Sequence, residues 1–592
     1  MGINDLHGAL APRTLKTADK SPVTYEVGGA QILAAHVQLL RSVFKSNLFV
    51  LDAGDEFQGT IESNLQLGAP VVQLFNAIGL NAAAIGNHEF DFGPLPGGDP
   101  NDLQGTLKQR MREAHYPYLS ANIVEKSSGK LAPFPNTLPH VILTSGSLKV
   151  GLIGLTSNET LTRTRPEYVT NLAITDLKEA AEREAQALRK EGAQIVILVA
   201  HAGLHCDLGK FIPGATTVIS PTSEPGECSD DEEISKLLNS LPAGTLDAVV
   251  AGHTHHVVHH WVHGVPVIQG GSSGQFYNLI YLTYDWSERR LLTDRTRIEG
   301  AVPLCPKVFE NQGDCDGNRP APTQGRGSLV APVFHGATIH EDETIAQLLE
   351  PALQKSEEAK RRVVGQAVNT IEHSRRKESQ MGNLVTDAVR AKAKTDFALI
   401  NSGQIRGVLE AGPITYEALF RSLPFEDTIK VLTVTGKELK TIMQVAENGS
   451  RGLFPISGMR VRVVGLDYAA PMSELTHGKR YEPWEANRLL DVKLSDGTSL
   501  KDQKSYTIAM PSFLVSGGDD MEWVMSHLHH KAVKPGSVGL MRDAVIEYLA
   551  QSGPVNSDQR PLIDPSHPRI RQEKPVDKPR QRNRKRRQKV KK

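Results

Sequence analysis

Five short segments of this 592-residue chain carry side chains suited to holding divalent cations beside a reacting group. They are Asn4-Asp5-Leu6-His7-Gly8, Leu51-Asp52-Ala53-Gly54-Asp55, Ile85-Gly86-Asn87-His88-Glu89-Phe90-Asp91, His201-Ala202-Gly203 and Gly252-His253-Thr254-His255. Asp5 and His7 are two residues apart, so on an extended segment both point the same way and can reach one ion. Asp55 follows a glycine that permits a tight turn, and its two oxygens can bridge two cations. Asp52 sits on the preceding apolar run and reads as hydrogen-bonded structure. Asn87 offers a neutral oxygen. His88 can face a substrate while Asp91, three residues on, orients and polarises its ring. His253 and His255 place two imidazoles on alternate positions. A single histidine among 21 would be an ordinary surface or core residue. Five ordered sites with donors fitted to borderline-hard metals are not a chance pattern.

Four of the five segments follow apolar runs, which must be the elements that position them. The runs include Asn47 to Leu51, Ala82 to Ile85, Val150 to Leu155, Ile195 to Ala200, Asp247 to Ala251 and Val265 to Gln269. They alternate with amphipathic stretches such as Gly28 to Phe44 and Thr175 to Glu191, which predicts α/β layers around a buried sheet, with ligands gathered at the carboxyl ends of its strands. A Gly/Pro-rich passage from Pro303 to Pro332 reads as an interdomain loop. Glu341 to Arg362 reads as a helix, with Ile345, Leu348, Leu349 and Leu353 at helical spacing. A second α/β region runs from about Val363 to Gln551, and the chain from Pro554 onwards reads as disordered.

Composition is that of an ordinary globular chain long enough for two domains, 39% hydrophobic and 23% charged. No stretch approaches the ~18 uninterrupted apolar residues of a membrane-spanning helix. The formal charge of zero hides an asymmetry: residues 574–592 hold eleven Lys or Arg against Asp577 alone, a net of +10, and the remainder carries −10. An acidic body argues against a broad nucleic-acid-binding surface on the folded part. The basic tail reads either as a solvated extension or as an attachment to anionic surfaces or polymers. The four cysteines fall into local pairs, Cys206 with Cys228 and Cys305 with Cys315, leaving open two disulfides or four thiols. No signal peptide is visible, and Asp5 stands so near Met1 that a leader and part of a strand are expected to be missing. The histidines from His256 to His263, including His259 and His260, read as bystanders on a strand with alternating exposed faces.

The order Asp-x-His, Gly-Asp, Gly-Asn-His-Glu, His-x-Gly and Gly-His-x-His resembles the calcineurin-like metallophosphoesterase signature. The second half resembles the 5'-nucleotidase C-terminal domain. The segments that carry this are Glu378-Ser379-Gln380-Met381-Gly382-Asn383, Asn401-Ser402-Gly403-Gln404-Ile405-Arg406, Leu423-Pro424-Phe425 and Phe513-Leu514-Val515-Ser516-Gly517-Gly518-Asp519. The resemblance to the 5'-nucleotidase family covers residues 3 to about 550. It implies an N-terminal four-layer α/β/β/α sandwich over residues 1–335, a linker and hinge helix over 336–362 and an α/β substrate-binding domain over 363–553; composition makes 554–592 a disordered basic tail. It implies two divalent ions (Zn, Mn or similar), one held by Asp5, His7, Asp55 and His255, the other by Asp55, Asn87, His201 and His253. It also implies a nucleobase sandwiched by Phe425 and Phe513, with Asn401 at the base edge and Asp519 accepting from base or ribose. Arg406 and Arg375 would face phosphate; the basic run Arg375-Arg376-Lys377 departs from the family pattern, and Arg375 is the choice within it.

The reaction expected from this resemblance is in-line attack of water on a terminal phosphorus, with His88 and Asp91 stabilising the transferring group or assisting the leaving alkoxide. There is no GxSxG elbow, catalytic-cysteine signature or P-loop to support another chemistry. Within the family the alternatives are a 2',3'-cyclic-nucleotide phosphodiesterase or a nucleotide-sugar pyrophosphatase. Outside it, the alternative is an inactive surface-binding protein. A periplasmic or extracellular location follows from the resemblance.

Overall fold

The apolar runs of the first half become strands buried on both faces, which is what a parallel sheet packed on two sides requires. In the computed structural model, which describes residues 1–19, 21–207, 217–223, 226–447, 451–464, 489–528 and 538–573, Ile195–His201 and Ala248–Ala251 are buried at every position. They lie between Leu148–Thr156 and Val265–Gly270 in a parallel array. Antiparallel edge strands His140–Ser145 and Val257–Val262 complete a six-stranded sheet. A second sheet, of eight strands, holds Gly2–Ile3, Leu51–Asp52, Ala82–Ala84, Tyr118–Leu119 and Thr137–Leu138 in parallel order. Beyond Gly2–Ile3 it continues through Phe276–Tyr281, Arg297–Pro303 and Thr217–Ile219, each antiparallel to its neighbour.

The two sheets meet face to face. Leu51, Ala82, Ala84 and Leu119 of one pack with Val150, Leu152, Ile197, Val199 and Ile268 of the other. Helices Ala30–Phe44, Ala69–Ile78 and Gly105–Glu113 cover the eight-stranded sheet, and Leu177–Lys190 and Glu233–Ser240 cover the six-stranded one. The first unit is thus the four-layer α/β/β/α sandwich. Helix ends follow local chemistry: the Asp176 carboxylate accepts from Glu179 N, capping Leu177–Lys190.

The chain divides into two units at Arg362. The helix predicted as a linker, Glu343–Arg361, packs within the first of them. Asp342 caps it, Ile345 and Leu349 enter the core beside Ala30–Phe44 and Ala69–Ile78, and Lys360 pairs with Glu62. Leu348, expected on that stripe, is exposed. The Pro303–Pro332 passage likewise belongs to the first unit rather than joining two. Val308–Phe309 pairs with Leu329–Val330, Phe309 packs on Tyr25, and Arg326 reaches Asp19. Both cysteine pairs are disulfides, Cys206–Cys228 and Cys305–Cys315.

The reading of the histidine run needs correction. His259 and His260 are both buried, on opposite faces of the edge strand Val257–Val262: the chain around Cys206 covers the His260 face, and His259 shares the face of Trp261, which packs toward the core between the sheets. His260 Nε2 donates to the Asp207 carbonyl at 3.0 Å.

Burial of neutral histidines makes stability depend on pH. His36 stands with Nδ1 2.9 Å from the Tyr277 hydroxyl, and burial, with a smaller push from His335, lowers its pKa to about 4. Burial, then His260, does the same for His259. In the unfolded chain both rings titrate near ~6.5. Between pH 6.5 and 4 the unfolded state therefore binds protons that the folded state refuses. The stabilisation is complete above about 6.5 and is lost as pH falls, by on the order of 3 kcal/mol per ring. Chemical denaturation from pH 7.5 to 4.5 should show this decline, and His36→Leu should make it shallower.

In the second unit, strands Ile429–Thr435, Ser505–Pro511, Phe397–Leu399 and Ile456–Ser457 form a sheet buried on both faces. Leu432 and Ile508 pack with Leu439 and Ile442 of helix Gly436–Ala446 on one side. Ile429 and Ala509 pack on the other side with Leu384 and Val545, of helices Gln380–Ala393 and Met541–Ser552. The predicted disorder from Pro554 is also corrected. Order continues to Glu573, because Ile570–Glu573 joins Met459–Val464 as a parallel strand and Arg569 pairs with Asp387 at 2.8 Å. The basic run at 574–592 lies outside the described residues. Among the described residues no helix is long and apolar enough to cross a membrane.

Candidate metal centre

All five segments leave the carboxyl ends of parallel strands: Gly2–Ile3, Leu51–Asp52 and Ala82–Ala84 in one sheet, Ile195–His201 and Ala248–Ala251 in the other. The site therefore forms where the ends of the two packed sheets converge. Backbone bonds join the loops: Asp5 N donates to Gly54 O at 2.9 Å and His7 N to Asp55 O at 3.0 Å. Gly54 has to be glycine. Its φ is +87°, and a Cβ there would stand 2.7 Å from Gly86 N and 3.0 Å from His201 Nδ1. Asp5, His7, Asp55, His253 and His255 all adopt positive φ, a region that residues with a Cβ occupy sparingly and at a cost of about 1–3 kcal/mol each. Such strain concentrated in one cluster is expected where side chains must converge on a point.

They converge as two groups. In the first, His7 Nε2 faces His255 Nε2 at 2.9 Å, and His255 Nε2 lies 3.2 Å from Asp5 Oδ1, with Asp55 Oδ2 3.9 Å from His7 Nε2. In the second, His201 Nε2 meets Asp55 Oδ2 at 3.1 Å, Asn87 Oδ1 at 3.1 Å and His253 Nδ1 at 3.2 Å. Both groups can hold an ion, and Asp55 belongs to both. Asp5, His7, Asp55 and His255 thus lie together, and Asp55, His201 and His253 lie together with Asn87 beside them, the groupings that the resemblance implies.

The donor chemistry fits cations. His201 Nδ1 lies 2.8 Å from the Ala53 carbonyl and must carry the proton there, so Nε2 presents a lone pair. That lone pair points at a carboxylate oxygen, an amide oxygen and another imidazole nitrogen, an arrangement that needs positive charge at its centre. Burial alone would lower the His201 pKa, but Asp55, with Asp5 and Glu89, outweighs it and raises the ring to about 10. The ring's appetite for a proton reflects the charge that a cation would supply. His7 is arranged alike: Nδ1 donates to Gln58 O at 2.8 Å and Nε2 faces the cluster.

His88 stands beside the groups without joining either. Its backbone N–H donates to Asp55 Oδ1 at 2.8 Å, and its Nδ1 lies 2.6 Å from Asp91 Oδ2. Burial opposes its imidazolium, yet Asp91 and Asp55 raise its pKa to about 9. Asp52 is a buried structural carboxyl, as read from the sequence. Its Oδ2 accepts from Gly54 N at 2.9 Å, and burial pushes it well above the usual carboxylate range.

Sequence reasoning did not assign roles to several supporting residues. Buried Glu89 accepts from the N–H groups of Gly86, Asp55 and Glu56 at 2.6–2.9 Å, tying two ligand loops together. Asn4 donates to Asp5 Oδ2 at 2.6 Å and to Gly271 O at 2.8 Å. Glu89 and Asn4 lie inside the recognised motifs, which was the available signal. Thr164, which donates to Asp91 Oδ1 at 2.8 Å, lies in no motif.

In the second unit, Asn401 Nδ2 donates to Asp519 Oδ2 at 2.7 Å, while its buried Oδ1 has no hydrogen-bond partner among the described residues. The Arg406 guanidinium lies over the Phe425 ring, 5.1 Å from its centroid. Burial, and then like charge from Arg375, depress the Arg406 pKa, so these two arginines are neighbours; Arg375 is exposed. Phe513 packs its ring on Gly518, where a Cβ would approach Cζ to 2.4 Å. Phe425 and Phe513 are half-buried rather than core.

Residues 1–257 match the calcineurin-like phosphoesterase family, and residues 356–526 match the 5'-nucleotidase, C-terminal domain family. The chain belongs to the 5'-nucleotidase family. As a member it is a phosphoester hydrolase, and a metallophosphoesterase domain implies divalent metal. It is similar to a 5'-nucleotidase of Vibrio cholerae, 26% identical over 537 residues that cover 86% of this chain and 83% of the relative. It is also 27% identical over 528 residues to endonuclease YhcR of Bacillus subtilis, a match covering 87% of this chain but 37% of that longer protein. The fold is shared with a putative 5'-nucleotidase from Staphylococcus aureus, at a TM-score of 0.66 and 19% identity over 97% of this chain and 99% of that one. A 5'-nucleotidase precursor from Thermus thermophilus shares it at a TM-score of 0.63 and 22% identity, with the same coverage.

Proposed function

We propose that this family member hydrolyses nucleoside 5'-phosphates to the nucleoside and inorganic phosphate, using two divalent ions that share Asp55. The observation that carries the proposal is the pair of ligand groups meeting at that carboxylate, Asp5–His7–Asp55–His255 and Asp55–His201–His253 with Asn87 beside them. When bound there, divalent ions such as Zn or Mn supply Lewis acidity, lowering the pKa of a water and neutralising charge on phosphoryl oxygens.

The chain's own residues do the rest. Asp91 holds His88 through Nδ1, so the proton that His88 can move or share is the one on Nε2. The Asp91 contact favours the imidazolium form of the ring, suited to stabilise the transferring phosphoryl or to protonate the departing alkoxide. Part of the rise in its pKa comes from Asp55, whose charge a cation would offset; the Asp91 contact remains. In the second unit, stacking on Phe425 and Phe513 contributes on the order of 1–3 kcal/mol per base. Asn401, through its unpartnered Oδ1, reads the base edge, and Asp519 accepts from base or ribose. Arg406 and Arg375 face phosphate. Two disulfides support an oxidising compartment, periplasmic or extracellular, where release of phosphate from nucleotides would serve their catabolism.

Phosphate release from AMP, ATP, UDP-glucose and a 2',3'-cyclic nucleotide, each with added Mn or Zn and again with EDTA, tests the reading. Metal-dependent release from AMP is expected. Turnover of the cyclic or pyrophosphate substrates alone would move the activity to the corresponding esterase.

A further inference from the structure

A sixth parallel strand, Leu148–Thr156, ends beside the metal centre and contributes no candidate ligand. Its loop nevertheless touches four residues of the site. Ser157 N donates to the His201 carbonyl at 2.8 Å, and the Glu159 carboxylate lies 3.7 Å from His253 Nε2. The Arg163 carbonyl accepts from Asn87 Nδ2 at 3.1 Å, turning Asn87 Oδ1 toward His201. Thr164 Oγ1 donates to Asp91 Oδ1 at 2.8 Å. The short helix Thr160–Arg163 fixes the spacing between these contacts.

The last contact bears on chemistry. Asp91 has two oxygens: Oδ2 accepts a hydrogen bond from His88 Nδ1 and Oδ1 accepts one from the Thr164 hydroxyl. Both carboxylate and hydroxyl are buried, so water cannot easily replace either partner. A carboxylate bonded through one oxygen can rotate about its terminal torsion, whereas one held through both cannot. We infer that Thr164 is a positioning residue: it locks the Asp91 carboxylate, and through it the ring plane of His88, against the reacting phosphate. Thr164 belongs to neither candidate ligand group. The inference rests on the proposed role of His88 and Asp91.

Thr164→Val preserves the branched shape and removes the hydroxyl, while Thr164→Ser keeps the hydroxyl. On whichever of AMP or p-nitrophenyl phosphate the wild-type enzyme cleaves, Thr164→Val is expected to lower kcat about 10- to 100-fold at unchanged KM. Metal bound per chain, measured by elemental analysis, should be unchanged, and Thr164→Ser should stay within about threefold of wild type. In a His88→Ala background Thr164→Val should cost nothing further. Wild-type turnover of p-nitrophenyl phosphate but not AMP would count against the nucleotidase reading while leaving the Thr164 comparison intact. A Thr164→Val enzyme within about twofold of wild type would overturn the inference. So would loss of metal, which would place its role at Asn87, or an undiminished loss in the His88→Ala background.

Discussion

Asp55→Asn is expected to deprive both ligand groups of their common carboxylate and to reduce phosphate release by at least about a thousandfold. Asp55 Oδ2 lies 3.1 Å from His201 Nε2 in one group and 3.9 Å from His7 Nε2 in the other, so a single substitution reaches both. Asparagine keeps the oxygen that accepts the His88 backbone N–H at 2.8 Å, so the loop geometry should survive. What it removes is the negative charge that lets one side chain serve two cations. Elemental analysis after gel filtration should show metal retention falling at both positions. His255→Ala, which touches only the first group, should spare the second. Equal and partial loss in the two variants would argue against a shared ligand.

His88→Ala should act in the opposite way, leaving metal in place while chemistry slows. His88 appears in neither ligand group, and its Nδ1 is committed to Asp91 at 2.6 Å. Its loss should lower kcat by about 10²–10⁴-fold, the usual contribution of a positioned acid or charge stabiliser, with KM and bound metal close to wild type. Steady-state kinetics on AMP, paired with metal analysis, separates the two expectations. A variant that loses metal as well would make His88 a ligand or a scaffold residue instead.

The candidate site was largely legible because ligand chemistry restricts residue type and parallel strands restrict position. Asp5, Asp55, Asn87, His201 and His253 each follow the end of a buried strand, and burial on both faces makes such strands continuous apolar runs in the sequence. The positive φ angles at Asp5, His7, Asp55, His253 and His255 were not legible, since only glycine announces that conformation in a sequence. Thr164 was invisible for another reason. It is joined to Asp91 by a hydrogen bond spanning 73 positions, and no local pattern marks such a pair. Tertiary cover also decided the fate of His259 and His260, which alternate like a surface strand until the loop around Cys206 covers the His260 face and the packed sheets cover the other. Residues 554–573 read as disordered because few of them are apolar. Their order comes from long-range contacts that composition does not report: Val555 bridging Ala367, Asn556 bonded to Asn369 and Thr370, the Ile570–Glu573 strand pairing and the Arg569–Asp387 ion pair.

The proposed centre has two ions sharing Asp55 where the ends of the two sheets meet. Anomalous diffraction from crystals grown with Mn or Zn tests it most directly. Two peaks about 3.5–4 Å apart, with Asp55 bonded to both, Asp5, His7 and His255 around one and Asn87, His201 and His253 around the other, is the predicted result. A single peak, or two peaks that Asp55 does not join, would contradict it.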